Sequence, residues 1–280
     1  MKKTTLAILV VALILGASGC IGSPSPTKTH TTSKAQHSTS ETTTTTSKTT
    51  TTASPLELLK SQVDTIGRFT YNGSTHVNLN ITVLLPNMTQ TNSVAIYMIE
   101  RGYIDLDSME AAINTTTRAE PDNTTVTVVR VVKEGRTYTK TALGSGVSFV
   151  NVTNDTPTFI WTYNPVSLAK KYIKRQPDEV LKNERETKLV YILDWRDVRT
   201  LSMVYLALTN ETGIVVKEGR LILTFEGNQL KEVVVEYAVV ATSIVKDPAL
   251  GQMTVKIKAK GTVKYEITST NKKIEVEPPT

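Results

Sequence analysis

Two carboxylate pairs have the spacing that acid–base or cation chemistry needs. Asp105 and Asp107 stand two apart in an extended run, so on a strand they would share one face. Asp194 and Asp197 form the second pair. Neither has supporting ligands in view. Of three histidines, His30 and His37 fall in a Ser/Thr-rich stretch, and His76 alone lies in the sequence after residue 54. Cys20 is the single cysteine, so a disulfide framework and a His/Cys metal cluster are excluded by counting. Gly144-Ser145-Gly146 lacks the wider spacing of a nucleophile elbow or phosphate loop. Charged side chains on a solvated surface explain both pairs more simply. The expectation is a protein that is not an enzyme, with no catalytic residues, no cofactor and no metal.

The two ends of the 280-residue chain differ in kind. Lys2 and Lys3 precede Leu6–Leu15, an apolar run too short for the ~20 residues a membrane span needs and suited to a signal peptide. Gly16-Ala17-Ser18-Gly19-Cys20 follows and resembles a lipoprotein lipobox, with Ala17 where leucine is usual. The resemblance implies residues 1–19 as signal peptide and lipid on Cys20; an uncleaved anchor with an incidental cysteine is the alternative. Ser23–Ser54 holds 21 Ser/Thr in 32 residues and no large apolar side chain, so residues 20–54 are expected to be a disordered stalk. The leader carries two lysines, and the stalk carries Lys28, Lys34 and Lys48 against Glu41. Of the formal +6 only +2 remains for residues 55–280, which gives no electrostatic case for nucleic acid.

Residues 55–280 show strand periodicity. In Met253–Ile267 the odd positions are apolar, with Ala259 and Gly261 mid-run, and the even positions hold Lys256, Lys258, Lys260 and Lys264. Val77–Leu85 alternates likewise, with His76 on the outward side. At ~3.3 Å per residue the first run reaches roughly 50 Å, and only a bent sheet keeps so long a strand half-buried. Ser54-Pro55-Leu56-Glu57 starts a helix with a capping box. Val94–Glu100 and Tyr103–Ile113 are expected as separate strands. Val126–Val132 and Thr137–Leu143 form a hairpin, and Phe159, Trp161 and Tyr163 alternate as a strand would. Asn164-Pro165 begins a helix bearing Lys170, Lys171, Lys174 and Arg175, more simply a solvated face than a lipid-phosphate site. Beyond Pro177, Val180-Leu181 add a further turn. Lys188–Leu193 is a strand, Trp195–Leu208 fits a helix, and Leu221–Phe225 pairs with Leu230–Val240 over Gly227-Asn228.

Eight of fourteen asparagines after residue 54 sit in N-x-[ST]: Asn72, Asn80, Asn87, Asn114, Asn123, Asn151, Asn154 and Asn210. The excess points to an exported glycoprotein held at the cell surface with its domain outside.

The capped helix, the long alternating strands, Asn164-Pro165-Val166-Ser167-Leu168 and the terminal Ile274, Val276, Pro278 pattern resemble the LolA-like and LppX-like lipoproteins, here of an archaeal surface type. The resemblance implies an α+β domain: one strongly curved antiparallel sheet, a half-barrel, with helices on its concave face and a lipid or other apolar ligand between. Leu79, Ile81, Val83, Ile96, Met98, Val235, Tyr237, Ile257 and Tyr265 would then line the ligand site. Burying the large residues of Met253–Ile267 yields roughly 1.5–3 kcal/mol each whether a ligand or the protein's own helices cover them. A lipid-binding module and a structural surface glycoprotein with a filled core therefore both fit the pattern. The expected partner is the membrane, through Cys20.

Overall fold

A computed structural model describes residues 54–279 except 86–87, 145, 156, 207–211 and 248–250. The leader, the stalk, Cys20, Asn87, Ser145 and Asn210 lie outside the described residues.

The described residues form one antiparallel sheet of eleven strands that does not close on itself. In chain order these are α1 (Pro55–Asp64), β1 (Arg68–Leu85), β2 (Met88–Asp105), β3 (Glu110–Glu120), β4 (Thr124–Lys133), β5 (Arg136–Leu143), β6 (Ser148–Thr153), α2 (Thr158–Thr162), α3 (Pro165–Tyr172), β7 (Glu179–Lys182), β8 (Glu186–Ile192), α4 (Trp195–Leu206), β9 (Gly213–Glu226), β10 (Gln229–Asp247) and β11 (Gly251–Thr270). The sheet order is β6-β5-β4-β3-β2-β1-β11-β10-β9-β8-β7. Two meanders run outward from a central seam where the first and last strands pair.

The seam holds the two alternating runs in register, with Val77 opposite Gly261, Leu79 opposite Ala259 and Ile81 opposite Ile257. Along β1 the odd residues from Phe69 to Val83 are buried, while Asn72, His76 and Asn80 are exposed. A one-residue slip would turn every one of these side chains to the wrong face, so the pattern itself fixes the pairing. Glu134 and Gly135 both have positive φ, 52° and 73°, the geometry of a tight hairpin turn between β4 and β5.

The four helices lie on the apolar face, called inner below. Leu59 and Val63 of α1, Leu168 and Tyr172 of α3, and Val198 and Leu201 of α4 share one core with the inner residues of β1, β2 and β8–β11. Ser54 caps α1 by accepting from the Glu57 N–H (3.3 Å), while the Glu57 carboxylate pairs with Lys60. Asn164 caps α3 in the same way at 2.8 Å and donates to Ile160 O. On the outer face the C-terminal segment seals a small second cluster of Tyr103, Val131 and Val276. Lys133 donates to Val276 O and the Ile274 N–H donates to the Tyr103 hydroxyl.

Three sequence expectations are corrected. Val94–Glu100 and Tyr103–Ile113 are not separate strands: β2 runs unbroken to Asp105, and the turn falls at 106–109. Phe159–Tyr163 is helical through Thr162, since Phe159 and Tyr163 are also spaced one helical turn apart and a run this short fits either period. Val180-Leu181 belong to the edge strand β7, paired with Leu189 and Lys188, and not to a helical turn.

Candidate binding face

The residues expected to line a ligand site do share one face. Leu79, Ile81, Val83, Ile96, Val235, Tyr237 and Tyr265 are buried there, and Met98 and Ile257 are half-buried. The buried ones pack against each other and against the helices in a single core.

The open part of the inner face lies elsewhere. Met98, Glu100 and Gly102 of β2, Thr115 and Thr117 of β3, and Val128 and Arg130 of β4 are all half-buried. Pairing puts them side by side, with Glu100 opposite Thr115, Thr115 opposite Val128, and Arg130 opposite Ile113. Buried Ile96, Ala119 and Val126 close one end of this window, and Ile104, Ala111 and Val132 close the other.

A polar cluster occupies the window. The Tyr71 hydroxyl donates to one Glu100 oxygen at 2.6 Å, and the Thr115 hydroxyl donates to the other at 3.1 Å. Tyr205 of α4 and Tyr265 of β11 share a hydrogen bond of 2.6 Å between hydroxyls. Tyr265 stands edge-on to Tyr71, ring centroids 5.4 Å apart, and Tyr205 stacks on Tyr237 at 6.2 Å. The Arg130 guanidinium lies 5.5 Å from the centre of the Phe159 ring of α2. The Tyr237 hydroxyl is buried and has no hydrogen-bond partner among the described residues.

Glycines make room for these rings. A Cβ on Gly102 would stand 2.3 Å from the Tyr71 ring, and one on Gly261 would stand 2.5 Å from the Tyr237 ring. Gly102 therefore does not end a strand; it lets a tyrosine lie flat on one.

The cluster is electrostatically tense. Desolvation pushes the Glu100 carboxyl above its usual value, against the two hydroxyl donors and the Arg130 charge that favour its ionised form. Burial lowers Arg130, and the Glu100 charge works the other way. Tyr71 is raised well above the ordinary tyrosine value, first by burial and then by the Glu100 charge; Tyr265 is raised by burial and by Tyr205.

Sequence reasoning passed over Glu100 and Arg130, yet a signal existed. Glu100 continues the inner parity of Val94, Ile96 and Met98, and Arg130 continues that of Val126 and Val128. A charged residue in phase with apolar ones marks a polar site inside an apolar face.

The first carboxylate pair meets at Arg68, and the second goes to separate partners. Asp105 is buried on the outer face and accepts the Asp107 N–H at 3.0 Å and the Ser108 N–H at 3.2 Å, with Arg68 Nε at 3.4 Å. Asp107 lies exposed in the turn and meets Arg68. Asp194 is an exposed partner of Arg175. Asp197 is buried between helices, 2.7 Å from Lys171 and 2.5 Å from the Tyr172 hydroxyl. Two of the four α3-region cations are thus tied down in ion pairs. His76 is exposed and stacks on Tyr97 at 4.7 Å. Among the described residues no group of three His, Cys, Asp or Glu could hold a metal, and no helix is long and apolar enough to cross a membrane.

All six described sequon asparagines, Asn72, Asn80, Asn114, Asn123, Asn151 and Asn154, are exposed. Asn164, which is buried, belongs to no sequon. A groove of about 660 Å³ runs along the outer face between β1, β2 and the β3–β4 turn, lined by Asn78, Asn80, Ser93, Arg118, Glu120 and Asn123, among others.

No protein-family model matches the chain, and no curated protein matches it. Among solved structures, a beta-barrel-like protein of domain of unknown function DUF1849 from Brucella abortus is 11% identical, with 73% of this chain and 100% of that one covered and a TM-score of 0.23. A DUF1329 family protein from Desulfovibrio piger is 10% identical, with 73% and 89% covered and a TM-score of 0.20. The LolA-like and LppX-like resemblance rests on the sequence pattern alone.

Proposed function

We propose that the chain is a membrane-anchored surface lipoprotein whose domain binds an amphipathic ligand, most simply a lipid, on the inner face. The observation that carries this is the half-buried polar window. Glu100 and Arg130 put opposite charges beside the Tyr71 and Thr115 hydroxyls on a face that is otherwise apolar, a polar cluster whose donors and acceptors a ligand's head group could share. In this reading Arg130 and Glu100 meet the ligand's polar head, Tyr71, Thr115 and Tyr265 orient it, and its apolar part lies along Met98, Ile257 and the residues they adjoin. The helices would give way to admit it. Lipid on Cys20 and the stalk would hold the domain outside the membrane, with sugars on the sequons.

We take the sheet to curl as a half-barrel with the helices on its concave side. Six strand spacings of ~4.8 Å separate β4 from β9, roughly 29 Å if flat. Yet one layer of short helices serves both: Phe159 of α2 lies at Arg130 on β4, and Val198 of α4 fills the space over Gly219 on β9.

The test is native mass spectrometry of the full-length protein taken from its own membranes. The expected result is a reproducible added mass that organic extraction removes. A bare mass, with Cys20 lipidated, would reject the binding role and leave the second reading: a structural surface glycoprotein with a filled core. Burial of seven of the nine residues first expected to line the site favours that reading.

A further inference from the structure

The outer-face groove holds two sequon asparagines, Asn80 and Asn123, in the same posture. Asn80 Oδ1 accepts the Ser93 hydroxyl at 2.8 Å. Asn123 Oδ1 accepts Arg118 Nε at 3.1 Å and Nη2 at 2.8 Å. Each amide is therefore held by its oxygen, which leaves Nδ2, the atom that carries an N-linked sugar, turned away from those bonds. Asn80 sits in the middle of a long strand with its side chain exposed on the outer face, so a sugar on it would leave beside the groove. The groove offers about 660 Å³ there, within the roughly 300–1,000 Å³ typical of ligand clefts. Lys258 lies directly across from Asn80 and Lys260 across from Asn78, with Lys256 one step along the same face. These three lysines have no ion pair among the described residues, whereas Lys264 is paired with Glu232. At ~3.3 Å per residue they line about 13 Å of the seam.

We infer that Asn80 bears an N-linked glycan containing acidic sugars, and that this groove and the Lys256–Lys258–Lys260 row are its seat. The inference rests on the reading of the chain as an exported glycoprotein. The donor is a lipid-phosphate-linked oligosaccharide. A bond forms between Asn80 Nδ2 and the anomeric carbon; the bond from that carbon to the phosphate oxygen breaks; the amide proton passes to base, and the lipid phosphate leaves with the electron pair. The seated glycan covers the polar seam where β1 and β11 meet, as a lid would, and its acid groups neutralise the lysine row.

Glycopeptide mass spectrometry of the protein from its own cells tests the modification. An acidic glycan on the Asn80 peptide supports the inference. An unmodified or neutrally glycosylated Asn80 beside modified sequons elsewhere overturns it alone; no modified sequon at all overturns the glycoprotein reading as well. The seat is tested by Lys258→Gln/Lys260→Gln in the glycosylated protein. Faster release of the Asn80 glycan by an amidase, by about threefold or more and with the Asn114 glycan unaffected, supports it; equal rates at both sites in variant and native protein overturn it. Asn80→Gln, which leaves the fold's inner face untouched, controls for the assignment of the released glycan.

Discussion

The inner faces of β9–β11 and of β2–β4 border the same core, yet they are built differently. Leu221, Leu223, Phe225, Val233, Val235 and Val263 are all sealed and apolar. Met98, Glu100, Thr115, Val128 and Arg130 are half-open, and three of the five are polar or charged. The helices account for part of this, since α4 packs over β9 with Val198 set against Gly219. The difference separates two tasks. One wing is where burial stabilises the fold. The other holds polar and charged groups in hydrogen bonds on an otherwise apolar face, where the proposed ligand would meet them.

The contrast can be broken most severely with a charge. Val235→Asp places an unpaired carboxylate in the sealed wing and should cost more than about 4 kcal/mol, leaving little folded protein. Val128→Asp in the window should fold, at a cost of about 1–2 kcal/mol; equal losses in urea titrations would erase the distinction. Truncation gives a milder version. Leu223→Ala should lose about 2–5 kcal/mol, as fully buried leucines do, against about 1 kcal/mol for Val128→Ala.

Titration sharpens the contrast between two carboxylates on one strand. Desolvation raises Glu100 above its ordinary 4.5, so its ionised form weighs against the fold. That penalty is present above the raised value and is relieved as pH falls toward 4.5. Asp105 is opposite. Burial opposes its charge, but the Ser108 and Asp107 N–H donors and Arg68 outweigh burial and hold it below 3.8. Its stabilisation is present above 3.8 and is lost as pH falls through the lowered value. Melting temperatures across this range should therefore show Glu100→Gln removing an acid-side gain and Asp105→Asn removing an acid-side loss. Parallel curves for both variants and the native protein would show that neither group couples to folding.

Much of this fold is legible in the sequence. Period-two alternation gave β1 and β11, and Ser54 and Asn164 marked helix starts because their side chains can accept a first-turn N–H. Short aromatic runs were not legible, because Phe159, Trp161 and Tyr163 suit either period until their neighbours decide. The break expected between Glu100 and Tyr103 is absent for a related reason: Gly102 admits the Tyr71 ring from the adjacent strand, a contact no local pattern encodes. The candidate site was half-legible. The inner parity was correct for Leu79, Ile96 and Val235, but the same parity, carried two residues past Met98, reaches Glu100. Its partners Tyr71, Thr115 and Arg130 come from three other strands, so only the sheet order brings them together.

The most direct test compares Arg130→Met with Leu223→Ala by native mass spectrometry and thermal melting, each purified as full-length protein from its own membranes. Arg130→Met is expected to keep its melting temperature within a few degrees and to lose the added mass, while Leu223→Ala melts lower and retains it. An added mass kept by Arg130→Met, or absent from native protein, would contradict a ligand site in the β2–β4 window.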